Sequence, residues 1–151
     1  MTDKKSSTRD AIIHLFDEQQ LATLATMATD APYCNLVAFT PSEDLRTIFF
    51  ATPRTSTKYA NLVNNPNVSL LIDSRTQSGT DPQAGMAVTA LGSVVQDSSK
   101  DTEALKGMHA ARHEQFRDFI FSPDCALVQV RVKRYILVSS LRDVITLEIN
   151  S

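Results

Sequence analysis

The chain runs to 151 residues, 42% of them hydrophobic and 21% charged, with a formal net charge of −2. That is the balance of a soluble globular chain, and the length suits a single domain over residues 1–151 with a real core. With no basic excess and no basic stripe, general nucleic-acid binding is not expected, though one local phosphate site is compatible with a mildly acidic whole.

The N-terminal stretch MTDKKSSTRD is polar and lacks the apolar core of a signal peptide. No later apolar run nears the roughly 20 residues that span a bilayer, so a cytoplasmic protein without a membrane segment is expected. Residues 1–6 read as disordered. Ser7 or Thr8 stands where it can cap a helix running to about Gln19, with Asp10 in its first turn. Ile12, Ile13, Leu15 and Phe16 form the apolar face of that helix. Residues 20–27 turn strand-like, and Thr29, Asp30, Ala31 and Pro32 read as a turn. Residues 33–40 alternate: Cys34, Leu36 and Ala38 face one way, and Tyr33, Asn35, Val37 and Phe39 the other. Pro41, Ser42, Glu43 and Asp44 then close a hairpin into a strand over 46–52.

A helix over 56–64 is expected to bury Tyr59, Leu62 and Val63, an i, i+3, i+4 set. Asn64, Asn65 and Pro66 stop it, because the residue before proline avoids helical geometry. Residues 68–73 make a short apolar strand, 74–84 a polar loop, and 86–96 the cleanest strand of the chain. Both faces of that strand are small or apolar, so one is expected to fill a barrel and the other to be covered by a second subunit. Residues 97–121 read helical, in as many as two pieces, until Ser122, Pro123 and Asp124 break them. A long alternating strand over 125–139 follows, and another over 141–149 ends the chain. Six or seven short strands joined mostly by turns imply a mainly antiparallel β-barrel with peripheral helices. A doubly wound parallel sheet would need helices between most strands, and they are missing.

Cys34 and Cys125 both fall within expected strands and are read as reduced, buried packing residues rather than a disulfide or a metal pair. His14, His109 and His113 fall in expected helices. His109 and His113, four apart, share a face, but with no third ligand nearby they are read as solvated, and no metal site is expected.

Residues 48–73, IFFATPRTSTKYANLVNNPNVSLLID, carry the most information. An apolar strand delivers a hydroxyl-rich, dibasic turn onto the start of a short helix. The first turn of a helix has unpaired N–H groups and a partial positive charge, which suit an anion. Thr52, Arg54, Thr55, Ser56, Thr57 and Lys58 add hydroxyls and cations within seven positions. The plain alternative is a helix start whose hydroxyls cap free amides and whose cations are solvated. Against it, two cations beside a first turn are unfavourable until a phosphate joins them. Asn35 is a polar side chain midway along an apolar strand; it either lies on an exposed barrel face or borders a flat ligand, with backbone amides of Leu36 to Ala38 available to that ligand's polar edge. Asp73 and Arg75 close the next strand; Arg75 either pairs with Asp73 or reaches a phosphate or ribityl-type chain. No nucleophile and base are arranged for catalysis, so any chemistry belongs to a cofactor.

The segments ATLATM (22–27), PYCNLVAF (32–39), FFATPRTSTKYANL (49–62) and NNPNVSLLID (64–73) together resemble the pyridoxamine 5'-phosphate oxidase-like family of FMN-binding split barrels. ALGSV (90–94) and the long closing strand fit as well. The resemblance implies a six-stranded antiparallel Greek-key split barrel, a homodimer, and FMN in the groove between subunits. It puts Asn35, Leu36, Val37 and Ala38 along the flavin ring, Thr52 at a strand end touching the cofactor, and Thr57 and Lys58 on the family's Arg-Lys phosphate pair. The first of that pair is threonine here, and Arg54, three positions earlier, is the candidate replacement. Other departures bear on the reaction. The family's Arg-x-His substrate element near the C-terminus is replaced by Ser139, Ser140, Leu141, Arg142, Asp143 and Val144, and its substrate-phosphate lysine by Thr40 or Pro41. Vitamin B6 oxidation is therefore not expected, nor is the haem degradation of relatives with a histidine-bearing C-terminus. The expectation is an FMN-dependent oxidoreductase acting on an unidentified small substrate; the alternative is a non-catalytic flavin, deazaflavin or haem binding module.

Overall fold

The computed structural model describes residues 2–74, 85–95, 102–139 and 143–149. The elements in order are helix α1 (Thr2–Glu18), strands β1 (Leu21–Met27), β2 (Pro32–Pro41) and β3 (Thr47–Pro53), helix α2 (Thr57–Asn64), strands β4 (Asn67–Asp73) and β5 (Met86–Val94), helices α3 (Thr102–Arg112) and α4 (Arg117–Ile120), and strands β6 (Cys125–Ser139) and β7 (Asp143–Glu148). All seven strands lie in one antiparallel sheet of order β3-β2-β1-β4-β5-β6-β7, and a further pairing of β3 with β6 closes six of them into a barrel. Two three-stranded meanders, β1-β2-β3 and β4-β5-β6, are joined by the crossover through α2. This is the antiparallel barrel with peripheral helices that the strand pattern implies, in the six-stranded Greek-key form that the family resemblance implies.

Alternation decides what fills the barrel. On β1, Ala22, Leu24 and Thr26 are buried while Leu21 and Met27 are exposed. On β2, Val37 and Phe39 are buried and Leu36 is 66% exposed. Helix α1 lays Ile12, Leu15 and Phe16 into the same core, with the Phe16 ring edge-on to Phe39 at 5.4 Å. The helix starts at Thr2 rather than at a Ser7 or Thr8 cap, so residues 2–6 are ordered helix and not the disordered tail expected. The Thr8 hydroxyl donates back to the Lys4 carbonyl at 2.8 Å, a mid-helix bond and not a cap. Cys34 is the other misplaced residue: it shares the outward face of β2 with Leu36 and is exposed, whereas Cys125 is buried as expected.

β5 and β6 approach so closely that only glycine fits between them. The register slips between Leu91 and Gly92, which face Arg134 and Val132 and leave Lys133 unmatched. A Cβ on Gly92 would stand 2.2 Å from the Arg131 carbonyl oxygen. At the far end, Leu45 turns the β2–β3 hairpin at φ 63 while buried, and the Tyr135 hydroxyl donates to its carbonyl at 2.8 Å. Burial pushes that phenol's pKa up.

Candidate functional site

β2 is held on two edges only at its C-terminal end. It pairs with β1 from Pro32 to Ala38, but among the described residues it meets β3 only at Phe39, Thr40 and Pro41. Beyond Phe50, β3 leaves β2 and follows β6 instead, pairing as far as Pro53 with Cys125. That divergence is the split of the barrel. Phe39 turns its N–H toward β1, donating to the Gln20 carbonyl at 3.3 Å. By the alternation of an antiparallel ladder, Val37 and Asn35 do the same, while the N–H groups of Cys34, Leu36 and Ala38 face the open edge. The sequence offers the amides of Leu36 to Ala38 together; the ladder presents those of Leu36 and Ala38.

Asn35 is not on an exposed barrel face. It lies on the inward face with Val37 and Phe39 and is half-buried. Its Oδ1 is buried with no hydrogen-bond partner among the described residues. A buried acceptor left unmade costs about 1–3 kcal/mol, so a donor is wanted there.

α2 follows from the turn at the end of β3. Thr52 is fully buried, and its hydroxyl lies 2.8 Å from that of Ser56. Ser56 caps the helix, accepting from the Tyr59 N–H at 3.2 Å. The Ser56 hydroxyl thus caps a free amide as the plain reading had it, whereas that of Thr52 meets the Ser56 hydroxyl and, among the described residues, no amide. Thr57 is exposed and Lys58 half-buried in the first turn, and Lys58 has no ion pair among the described residues. Arg54 is drawn away from the helix: its N–H donates to the Asp124 carbonyl at 2.9 Å and its Nε to the Pro123 carbonyl at 3.3 Å. Arg75 lies outside the described residues. The buried face of α2 is Asn61 and Leu62 rather than Tyr59, Leu62 and Val63; Val63 is 62% exposed and Tyr59 only partly covered. The Asn61 amide donates to the Thr26 hydroxyl at 3.0 Å, which fastens α2 to β1 directly opposite Tyr33 of β2. Asn61 thus ties α2 to the end of β1 that pairs with the open stretch of β2.

The histidines correct the sequence reading most. His109 and His113 are 1% and 0% exposed, not solvated. Their rings meet edge to face at 4.7 Å beneath α3. His109 Nδ1 lies 2.7 Å from the Thr40 hydroxyl, and His113 Nε2 donates to the Phe39 carbonyl at 2.7 Å. Burial, with His113 and Arg112 nearby, pulls the His109 pKa down to about 4; burial lowers that of His113 too. Between them Arg112 lies 5.0 Å over the Phe39 ring and donates to the carbonyls of Phe16 and Gln19. His14, by contrast, is exposed and pairs with Glu18 at 2.9 Å. Among the described residues no group of three metal-ligating side chains converges, and no helix is long and apolar enough to cross a membrane.

No curated protein matches the chain. Solved structures match its fold. The haem binding protein from Mycobacterium smegmatis superposes with a TM-score of 0.77 at 20% identity, over 87% of this chain and 54% of its own. This chain thus spans about half the length of that relative. General Stress Protein 26 from Bacillus anthracis gives 0.74 at 17% identity, over 94% of this chain and 98% of its own. HutZ, the haem storage protein from Vibrio cholerae, gives 0.69 at 19% identity, over 86% and 92%. At these identities the likeness is one of fold. The sequence family described as pyridoxamine 5'-phosphate oxidase matches residues 8–139, nearly the whole barrel. The chain belongs to the pyridoxamine 5'-phosphate oxidase family.

Proposed function

We propose that the protein is a cytoplasmic, homodimeric FMN-binding oxidoreductase that passes hydride or electrons from a reduced donor to a small substrate. The observation that supports this most is the open edge of β2, where by the alternation of the ladder the N–H groups of Leu36 and Ala38 face out with the Leu36 carbonyl between them. The pyrimidine edge of an isoalloxazine offers two carbonyl acceptors around one N–H donor, the complement of that set. Lys58, with the Thr57 hydroxyl, would hold the phosphate at the α2 start, where the helix field also favours an anion. Arg54, tied to the 122–124 turn, would have to exchange those bonds to join them. Bound FMN would supply the redox step, and the protein its orientation. The amides of Leu36 and Ala38 would stabilise the negative charge that gathers on the ring's pyrimidine edge on reduction.

The outward face of the barrel supports a dimer. Leu21, Met27 and Leu36 are exposed there, and Leu71 and Leu91 continue the surface across β4 and β5.

A second reading puts haem in the same groove, because two relatives of the same fold are described as haem proteins. His109 and His113 are already bonded under α3, so an axial ligand would have to come from elsewhere, such as the exposed Tyr33 or Cys34. Titration of the purified protein with FMN and with haem separates the two. Quenching of flavin fluorescence at one FMN per subunit supports the first reading; a sharp Soret band with no flavin binding overturns it. Anaerobic addition of NADH or NADPH to the FMN-loaded protein then tests turnover by bleaching of the flavin.

A further inference from the structure

The point at which β2 loses its second edge is Phe39, and α3 grips the strand there. Phe39 and Thr40 are the first residues of β2 that β3 pairs, and each is also held from above, by His113 and His109 respectively. Arg112, over the Phe39 ring, ties the same place to the end of α1.

We propose that His109, Arg112 and His113 are positioning residues that set where β2 departs from β3, and that protonating the two imidazoles frees the open stretch over 34–38. The effect on a cofactor rests on the FMN reading; the effect on the strand does not.

The bond to the Phe39 carbonyl places one proton of His113. A carbonyl can only accept, so His113 carries its proton on Nε2, and its Nδ1 is left as a buried acceptor without a partner among the described residues. A proton added to Nδ1 would be a buried charge whose N–H has nothing to donate to, which is costlier than the bare acceptor. Burial lowers the pKa of both imidazoles, as this requires. The charged groups around the pair are Arg112 on α3 and, acting on Arg112, Asp17 of α1. β2 and β3 present Phe39, Thr40 and Phe49, none of them charged. Glu114 and Arg117, just beyond α3, are paired with each other at 3.0 Å and exposed. Among the described residues the Phe39 carbonyl alone favours a proton on His113, and burial outweighs it.

The test is amide hydrogen exchange at Asn35 and Val37, whose N–H groups face β1, in the wild type and in the double variant His109→Gln/His113→Gln. Glutamine retains a side-chain N–H for the Phe39 carbonyl and does not titrate. Ile72 and Val88, in β4 and β5, report the barrel as a whole. At about pH 7.5 the two proteins should protect Asn35 and Val37 alike; at about pH 4.5 the wild type should exchange there at least about tenfold faster, with Ile72 and Val88 unchanged. Equal exchange at about pH 4.5, or a rise spread evenly over all four amides, overturns the proposal. Should the double variant not fold, His113→Gln alone gives the same comparison. FMN dissociation constants add a second readout, and comparing the two proteins at one pH cancels the phosphate's own titration near about 6. The wild type should lose affinity in acid relative to the variant. A protein that binds no FMN at any pH removes the cofactor reading and leaves the exchange result to decide the clamp.

Discussion

Lys58 and Ser56 sit two residues apart and divide the work of the α2 start. The Ser56 hydroxyl takes the Tyr59 N–H and meets Thr52, so it is spent on structure, whereas the Lys58 ammonium has no ion pair among the described residues. Lys58→Ala should therefore weaken FMN binding by about tenfold to a hundredfold, the range of one charge-assisted bond, with the unfolding midpoint unmoved. Flavin fluorescence titration beside a urea melt checks both halves. The pattern of this corner was legible in the sequence because helix starts are local: cap, first turn and stop are written within a dozen positions. Asn61 was not legible. Its amide is buried because Thr26, 35 residues earlier, offers a hydroxyl to it. Periodicity alone ranks Val63 above it, since no sequence window contains the partner. The burial of His109 and His113 is not legible for the same reason: the partners that make it tolerable, the Thr40 hydroxyl and the Phe39 carbonyl, lie 69 and 74 positions away.

Elements show the opposite balance. The long strand over 125–139 and the helix over 56–64 were placed within a residue of β6 and α2, because each is bounded by proline and polar breakers. The start of α1 was missed, since a stretch rich in Lys, Ser and Thr looks unstructured until its later turns are seen docked on a barrel. What strands alone do not disclose is where two of them must touch. Gly92 is such a place, and a methyl there meets backbone, which cannot swing aside as a side chain would. Gly92→Ala should cost about 1–3 kcal/mol by forcing β5 from β6, read as a lower midpoint in urea denaturation. An unchanged midpoint would mean that the crossing relaxes freely. Gly107, with nothing within 4 Å of an added Cβ, is the internal control.

At the scale of the whole molecule, the buried imidazoles tie stability to pH. Both are lowered from the ordinary histidine value near 6.5, so the fold prefers them neutral and the unfolded chain takes up protons first. The stability they support is complete above about pH 6.5 and drains away as pH falls toward about 4, by up to about 3 kcal/mol for His109. Urea midpoints of wild type and His109→Gln between about pH 7.5 and about pH 4.5 should diverge by that order in acid. Assembly is the other whole-molecule question, and Leu21, 53% exposed on the outer sheet face, answers it with least risk to the core. Leu21→Glu should shift the proposed dimer toward monomer in sedimentation while leaving circular dichroism unchanged. The open stretch of β2 has a final consequence. It combines unsatisfied backbone groups with the exposed side chains of Tyr33 and Leu36, and it carries no lysine to repel a neighbouring strand. Such an edge can template the edge of another molecule, so whatever settles along it also guards against aggregation. Protein made in riboflavin-starved cells should precipitate on warming sooner than protein saturated with FMN, and light scattering would record the difference.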